Sequence, residues 1–191
     1  YEIGVRLVGS EMCIRDRGME LNTVFSLSKS FNLLPDFHLS YTFLKTAVVD
    51  GKIKSNVSGK VGSEVSIKDK ELPYAPRHTL TAGMSGNYFN SFSFRLDFRY
   101  VSKVYTDFEN IEKQDNLGIA GSIDAYSFVN ISANYEINPS YRIFFSGKNI
   151  TDQIYIGSRL HSNPGQPQAN LSSGIIPGPR RQINIGLEYS F

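Results

Sequence analysis

The residues of this chain best suited to chemistry are four cationic side chains near its end. They are Arg159, His161, Arg180 and Arg181, and a segment rich in Gly, Pro, Gln and Asn separates the first two from the last two. Guanidinium groups donate paired hydrogen bonds to carboxylates in a fixed fork geometry. The four side chains therefore indicate a site for a multiply charged anion, with ordinary solvent-facing loop residues as the alternative.

No catalytic constellation accompanies these cations. The sequence contains no phosphate-binding loop, no zinc-type spacing of His and Glu, and no nucleophile elbow. We therefore predict that the protein is not an enzyme and that it holds no cofactor.

Two sets of side chains are weaker candidates for a metal site. The first set is the histidines: His38, His78 and His161. The second set is an acidic segment: Asp107, Glu109, Glu112 and Asp115. The acidic spacing differs from that of a dedicated calcium loop, so a solvated loop is the simpler interpretation. We predict that the histidines bind no metal and lie either in loops or on the inner face of the barrel that is predicted below.

Composition and charge exclude two other classes of protein. No apolar run approaches the roughly 18 to 20 residues that a transmembrane helix needs, which excludes a helical membrane protein. The 20 Lys and Arg residues are scattered among 18 Asp and Glu residues, for a net charge of +2. Because they form no basic stripe, we expect no nucleic-acid partner.

The last residues of the chain carry the clearest structural pattern. Five apolar side chains alternate with polar ones: Ile183, Ile185, Leu187, Tyr189 and Phe191. A two-residue period predicts a strand with one apolar and one polar face. In water such a terminal strand would aggregate, whereas in a bacterial outer-membrane barrel its apolar face meets lipid and its polar face meets the lumen.

The same alternation recurs upstream and predicts an all-β protein with seven antiparallel strands. We predict strands at residues 18–29, 37–43, 79–88, 92–100, 123–135, 141–148 and 182–191. Short turns alternate with long loops, and in outer-membrane barrels the turns face the periplasm and the loops face outside. Outward aromatics collect at the turn ends: Phe37, Tyr88, Phe92, Tyr135, Tyr141, Tyr189 and Phe191. A membrane barrel explains this girdle and a soluble β-sandwich does not.

The first seventeen residues need separate treatment. They show neither clear alternation nor a secretory signal, and they resemble translated sequencing-adapter read-through. We therefore divide the chain into residues 1–17, a non-native segment without a packing role, and residues 18–191, the barrel portion. The single cysteine, Cys13, falls in the first part. Without an initiator Met or a signal peptide, the chain is expected to be the C-terminal part of a longer protein.

Residues 18–191 resemble the C-terminal part of a TonB-dependent outer-membrane receptor. The segment NITDQIY at 149–155 resembles the N-L-F-D-x-x-Y signature that follows the penultimate strand in that family. Gly-Pro-Arg at 178–180 and Tyr-Ser-Phe at 189–191 resemble the start and end of the family's final strand. LPYAPRHTL at 72–80 resembles the start of an earlier strand.

This resemblance implies that the chain supplies seven strands of a transmembrane β-barrel of about 22 strands, which it cannot close alone. It implies a receptor in the bacterial outer membrane that takes up a ferric chelate, ferric citrate or a siderophore. Energy would come from the TonB complex through an absent N-terminal region. The other implied partners are outer-membrane lipid, lipopolysaccharide and the barrel-assembly machinery.

The run at 155–182 resembles the last outer loop of ferric-citrate receptors, which extends the set of ligand candidates. The extended set is Arg159, His161, Gln166, Gln168, Asn170 and Arg180. The resemblance also implies that Tyr189 and Phe191 form a barrel-assembly signal. On the lumen face, a charge ladder against the plug is expected from Arg95, Asp97 and Arg99.

Two alternatives to a TonB-dependent receptor stay open. One is a passive porin or autotransporter-type barrel, and the other is a soluble β-sandwich adhesin. Upstream sequence that encodes further barrel strands but no plug domain would favour the passive channel.

Overall fold

The computed structural model describes residues 12–28, 34–55, 60–115, 118–160 and 174–191. The strands are β1 (Cys13–Phe25), β2 (Asp36–Asp50), β3 (Lys52–Lys54), β4 (Glu64–Ser66), β5 (His78–Tyr88), β6 (Phe92–Val101), β7 (Tyr126–Asn138), β8 (Tyr141–Lys148), β9 (Ile156–Arg159), β10 (Ile175–Pro177) and β11 (Gln182–Tyr189). Within these ranges no helix is long and apolar enough to cross a membrane.

Seven strands form one antiparallel sheet in the order β1-β2-β5-β6-β7-β8-β11. The remaining four form two small hairpins, β3 with β4 and β9 with β10. The connections β2–β5, β6–β7 and β8–β11 leave one end of the sheet, here called the long-loop end, and the tight turns lie at the opposite turn end. The predicted all-β fold with antiparallel strands is confirmed, and the four short strands of the two hairpins were not predicted.

The strand register separates an apolar face from a polar face. On one side Phe37 pairs with Met84, Met84 with Leu96, and Leu96 with Ile131, so apolar side chains continue across four strands. The neighbouring row, one residue along each strand, holds polar side chains on the other side. A one-residue slip would exchange the two faces, so the hydrophobic pattern itself fixes this register.

The apolar face of the sheet has no layer packed over it among the described residues. Ile185 on β11 is 72% exposed, and the side chains on either side of it on this face, Ile183 and Leu187, are exposed as well. The buried apolar residues instead lie at the long-loop end: Val48, Ile67, Val101, Val104 and Ile123. A soluble sandwich would bury this face against a second sheet. An uncovered face is the arrangement expected of a strand wall in lipid.

Aromatic rings gather on the apolar face at the turn end. Tyr88 pairs with Phe92 and Phe92 with Tyr135, and the Tyr88 and Phe92 ring centroids are 6.4 Å apart. On the last two strands Tyr141 and Tyr189 have ring centroids 4.8 Å apart. The rings thus lie at the end of the sheet where the sequence predicts an aromatic girdle.

The strand β1 begins at Cys13, five residues before the predicted start at Gly18. Cys13–Arg17 pair with β2, whose last residue is Asp50. The prediction of no packing role is therefore wrong for the backbone of these five residues, although their side chains are exposed. The long β2 offers free backbone groups along its edge, and a neighbouring segment can pair with them whatever its side-chain pattern. The non-native origin of residues 1–17 stays a prediction.

The strand β7 begins at Tyr126, three residues after the predicted Ile123. Ile123 instead makes an isolated bridge with Val104, and both side chains are buried among the loops at the long-loop end. Alternation alone could not separate a buried loop residue from a lipid-facing one.

The sheet is open, as expected for a chain that cannot close a barrel alone. β1 and β11 form its two edges. Backbone groups on such edges need a further strand to pair with in a membrane.

Candidate functional site at the long-loop end

The turn after β8 is organised by Asn149, which is 3% exposed and has a φ of 46°. Its side-chain amide donates to the carbonyl oxygens of Gln153 and Pro179, each at 2.9 Å. Its side-chain oxygen accepts a hydrogen bond from the backbone nitrogen of Gln153 at 2.9 Å. Asn is one of the few residues that tolerate a left-handed backbone conformation, so it suits both tasks. Asn149 thereby joins the start of the last long loop to its end.

A second link between the two ends of this loop is an ion pair. The Arg180 guanidinium donates to both carboxylate oxygens of Asp152, with Nε at 2.9 Å and Nη2 at 2.6 Å, and the Arg181 backbone nitrogen donates to the same group. These hydrogen bonds hold the pKa of Asp152 well below its usual range. Arg180, a predicted ligand contact, is thus already engaged with a carboxylate, although its side chain stays exposed.

Arg159, another predicted ligand contact, lies inside the loop assembly. It is 5% exposed, and its guanidinium donates to the Gly118 carbonyl at 2.7 Å and to the Ser122 carbonyl and the Gln114 side-chain oxygen at 3.1 Å. This geometry favours a structural role for Arg159 over direct contact with a ligand.

The other predicted ligand residues of the last loop lie outside the described residues: His161, Gln166, Gln168 and Asn170. Their roles stay predictions. Tyr189 and Phe191 lie together at the turn end with ring centroids 5.8 Å apart, and their role as an assembly signal is likewise a prediction.

The two described histidines lie on opposite faces of the sheet. His38 is on the polar face, and its Nε2 lies 2.6 Å from Asp97 Oδ1 and 3.1 Å from Arg95 Nη2. It reaches Asp97 across Gly83, where a Cβ would come within 2.5 Å of the imidazole ring. The expected charge ladder therefore has a histidine as a member.

His78 lies on the apolar face, not in the lumen or a loop as expected. It pairs in register with Phe43, its ring lies 5.4 Å from the Phe43 ring, and its Nδ1 is 2.8 Å from the Tyr41 hydroxyl. His78 is the first residue of β5 and follows a loop directly. The sequence alone therefore did not show whether it belongs to the loop or to one face of the strand. Among the described residues, no three His, Cys, Asp or Glu side chains are placed to hold a metal ion.

The carboxylates of the acidic segment have separate partners. Glu109 accepts from the Ser55 hydroxyl at 2.9 Å, Glu112 from Lys103 Nζ at 2.6 Å, and Asp115 from the Ile119 backbone nitrogen at 2.8 Å. Asp107 accepts from the backbone nitrogen of Ile111 at 3.3 Å. The segment is therefore used to hold loops together.

Three aromatic rings that the sequence reasoning did not single out stack on the polar face at the long-loop end. Tyr126 and Tyr155 are 4.1 Å apart between ring centroids, and Phe128 lies 5.8 Å from Tyr155. Gly178 packs against Tyr155 so closely that a Cβ there would overlap the ring. Burial raises the pKa of Tyr155, and the nearby Arg99 partly offsets that rise.

Arg99 stands beside this aromatic stack and was expected to belong to the charge ladder. It pairs in register with Phe128, its side chain is exposed, and no described carboxylate forms an ion pair with it. By contrast, Arg95 is bound to Asp97 through two donors. The sequence contained a sign of this arrangement. Phe128 lies two residues before Asn130, and residues two apart on a strand point to the same face, so this spacing places an aromatic residue on the polar face that also carries Arg99.

Comparison with known proteins places this geometry in context. A family model described as TonB dependent receptor-like, beta-barrel, matches residues 14–150. The ferric citrate transporter FecA in its unliganded form is similar in structure, with a TM-score of 0.72 and 20% identity over 93% of this chain and 24% of that one. Comparison with curated proteins gives no match.

Two further solved structures show the same fold. The ferric yersiniabactin uptake receptor FyuA from Yersinia pestis has a TM-score of 0.65 and 14% identity, over 94% of this chain and 24% of that one. The siderophore receptor PiuA from Acinetobacter baumannii has a TM-score of 0.62 and 15% identity, over 92% and 21%. This chain thus spans less than a quarter of the length of each solved structure.

Proposed function

Because this chain belongs to the TonB dependent receptor-like β-barrel family, we propose that it forms the last seven strands of a receptor for ferric chelates in a bacterial outer membrane. Barrels of this family are outer-membrane proteins in general, and they are receptors rather than enzymes. In this proposal the apolar face meets lipid, the polar face lines the lumen, and the long-loop end faces the cell exterior. The complete barrel has about 22 strands.

The proposed partners follow from this placement. The TonB complex would deliver energy through a region that precedes the described strands in the complete receptor. Lipid and lipopolysaccharide would surround the apolar face, and the barrel-assembly machinery would recognise the terminal aromatic residues.

Ferric citrate is the leading candidate for the chelate, and a siderophore is the broader class. The solved structures above are named as a ferric citrate transporter, a siderophore receptor and a ferric yersiniabactin uptake receptor, which supports this substrate class. The observation that carries the proposal within this chain is Arg99, an exposed guanidinium on the lumen side near the long loops without a described ion pair. Such a group can bind the carboxylates of an anionic chelate through two donors.

Uptake of radioactive iron as ferric citrate, by cells that carry the complete receptor, tests the proposal. Uptake should require the TonB complex and should stop when the inner-membrane proton gradient is dissipated. A passive channel would continue to admit the chelate under both conditions, and that result would contradict energy-coupled import.

The role of Arg99 is tested separately by binding of ferric citrate to the purified receptor. Arg99→Gln should weaken binding about tenfold or more, because a hydrogen bond to a charged group contributes about 1.5 to 3 kcal/mol. Arg142→Gln is the matched control, since Arg142 is paired with Glu188 at the turn end. Equal binding by both variants and the wild type would remove Arg99 from the site.

A further inference from the structure

The three long connections meet at Tyr74, in the β2–β5 connection. The Tyr74 hydroxyl donates to the carbonyl oxygen of Arg159 at 3.1 Å and accepts from the backbone nitrogen of the same residue at 3.0 Å. Both bonds fall on β9, on the edge away from β10, so one hydroxyl takes the place of a neighbouring strand there. The Tyr74 backbone nitrogen also donates to the Tyr105 carbonyl at 2.8 Å, in the β6–β7 connection.

Arg159 continues this link with its side chain. Its two terminal nitrogens reach Gly118, Ser122 and Gln114, all in the β6–β7 connection, while its backbone belongs to the β8–β11 connection. The acceptors are neutral, and the buried Nε has no described acceptor. Burying a guanidinium without a carboxylate costs free energy, so we expect such a group to hold other parts of the structure in place.

We infer that Tyr74 and Arg159 form a latch that joins the three long connections into one block before any ligand arrives. Arg159 is then a positioning residue: it fixes the loops that frame the ligand without touching the ligand. The planar fork of arginine suits this role because it reaches two carbonyls and one amide oxygen at once, which a lysine ammonium on a flexible stem does not reproduce.

Positive φ at Tyr74 supports a role beyond space filling. Its φ of 56° lies in the left-handed region, which is unfavourable for a bulky residue. The hydroxyl and backbone bonds to two other connections hold it there. A tyrosine kept in this conformation is consistent with a required contact at that point.

Hydrogen exchange in the complete receptor tests the latch directly. Tyr74→Phe removes the hydroxyl alone and should speed amide exchange about tenfold at Arg159 and Leu160, and also around Ile123 in the β6–β7 connection. Tyr105→Phe is the matched control, because its hydroxyl donates to Glu112 within its own connection. Faster exchange confined to the β9–β10 hairpin, or no difference between the two variants, would overturn the latch.

The positioning role rests on the proposed function and has its own readout. Arg159→Lys should raise the dissociation constant for ferric citrate several-fold and leave the maximal uptake rate unchanged, because fewer receptors have the loops preformed. Arg142→Lys serves as the control. Loosened loops with unchanged affinity would overturn the positioning role.

The two readouts separate the possible failures. A wild-type receptor that does not bind ferric citrate contradicts the proposed chelate, and the exchange experiment still decides whether the latch exists.

Discussion

Asn149 combines a positive φ with four side-chain and two backbone hydrogen bonds at the junction of two strands. Asn149→Ala should lower the free energy of unfolding of the complete barrel by about 2 to 3 kcal/mol, because it leaves buried backbone groups unpaired and places an alanine in a strained conformation. Denaturant unfolding of the receptor in lipid measures this change.

Two variants control this experiment. Asn149→Gly keeps the backbone conformation accessible and should show the loss of the hydrogen bonds alone. Asn184→Ala removes an exposed asparagine from β11 and should change stability by less than about 0.5 kcal/mol. Equal effects at both positions would contradict the organising role of Asn149.

Asp152 gives the same turn a defined pH dependence. Its pKa is lowered in the folded protein by Arg180 and by the Arg181 backbone nitrogen. The stabilisation is therefore complete above the unfolded pKa of about 3.9 and is lost as the pH falls through the lower folded value. Because the pair is exposed, the effect is small.

Comparison of the wild type with Asp152→Asn across pH measures this contribution. The stability difference should be constant above about pH 5 and should shrink below about pH 4. Asn also tolerates the positive φ of this position, so the backbone is not an added variable. Asp124→Asn, at an exposed aspartate, is the control. A stability difference that disappears near neutral pH would contradict the role assigned to Asp152.

At the residue scale the sequence motifs identified the turn, but they did not predict the protein partners of Arg159 and Arg180. The spacing of Asn149 and Arg180 identified the junction of the last two strands, because both lie in a recognisable motif. Nothing in that motif distinguishes an arginine that binds a ligand from one that donates to carbonyls of a neighbouring loop. The partners of Arg159 lie about 40 residues away in sequence, so its burial depends on tertiary packing.

At the scale of strands, alternation was a strong guide where one face is apolar throughout. The predicted segments at 92–100 and 141–148 agree with β6 and β8 within one residue. Alternation failed at Ile123, where a loop core continues the pattern of a strand, and at Cys13, where backbone pairing needs no pattern at all.

The two faces of β11 offer a matched test of the lipid assignment. Ile185→Lys should destabilise the complete barrel by about 2 to 4 kcal/mol if this position lies near the bilayer midplane. Asn184→Lys, one residue earlier and on the polar face, should cost less than about 1 kcal/mol. Unfolding of both variants in lipid bilayers measures the difference. Equal costs would contradict a lipid-facing apolar side.

At the scale of the whole molecule, the two open edges of the sheet, β1 and β11, prevent this chain from forming a closed barrel alone. In lipid the open edge of β11 needs a further strand to pair with, because unsatisfied backbone groups there cost several kcal/mol each. The family resemblance of the sequence predicts that this chain cannot close a barrel alone. The strand order β1-β2-β5-β6-β7-β8-β11, with an open edge at each end, agrees with that prediction.

Phe191 is where closure and assembly meet in this proposal. Phe191→Asp places a charge at the membrane rim, where the folding cost is about 0 to 1 kcal/mol because the penalty falls away from the bilayer midplane. If the assembly machinery recognises the terminal aromatic, far less folded receptor should nevertheless reach the outer membrane. Heat-modifiable receptor at the cell surface measures this yield, with Ser190→Asp on the other face as control. Because stability changes little, a sharp loss would be a defect of recognition, whereas equal yields of both variants and wild type would exclude an assembly signal at Phe191.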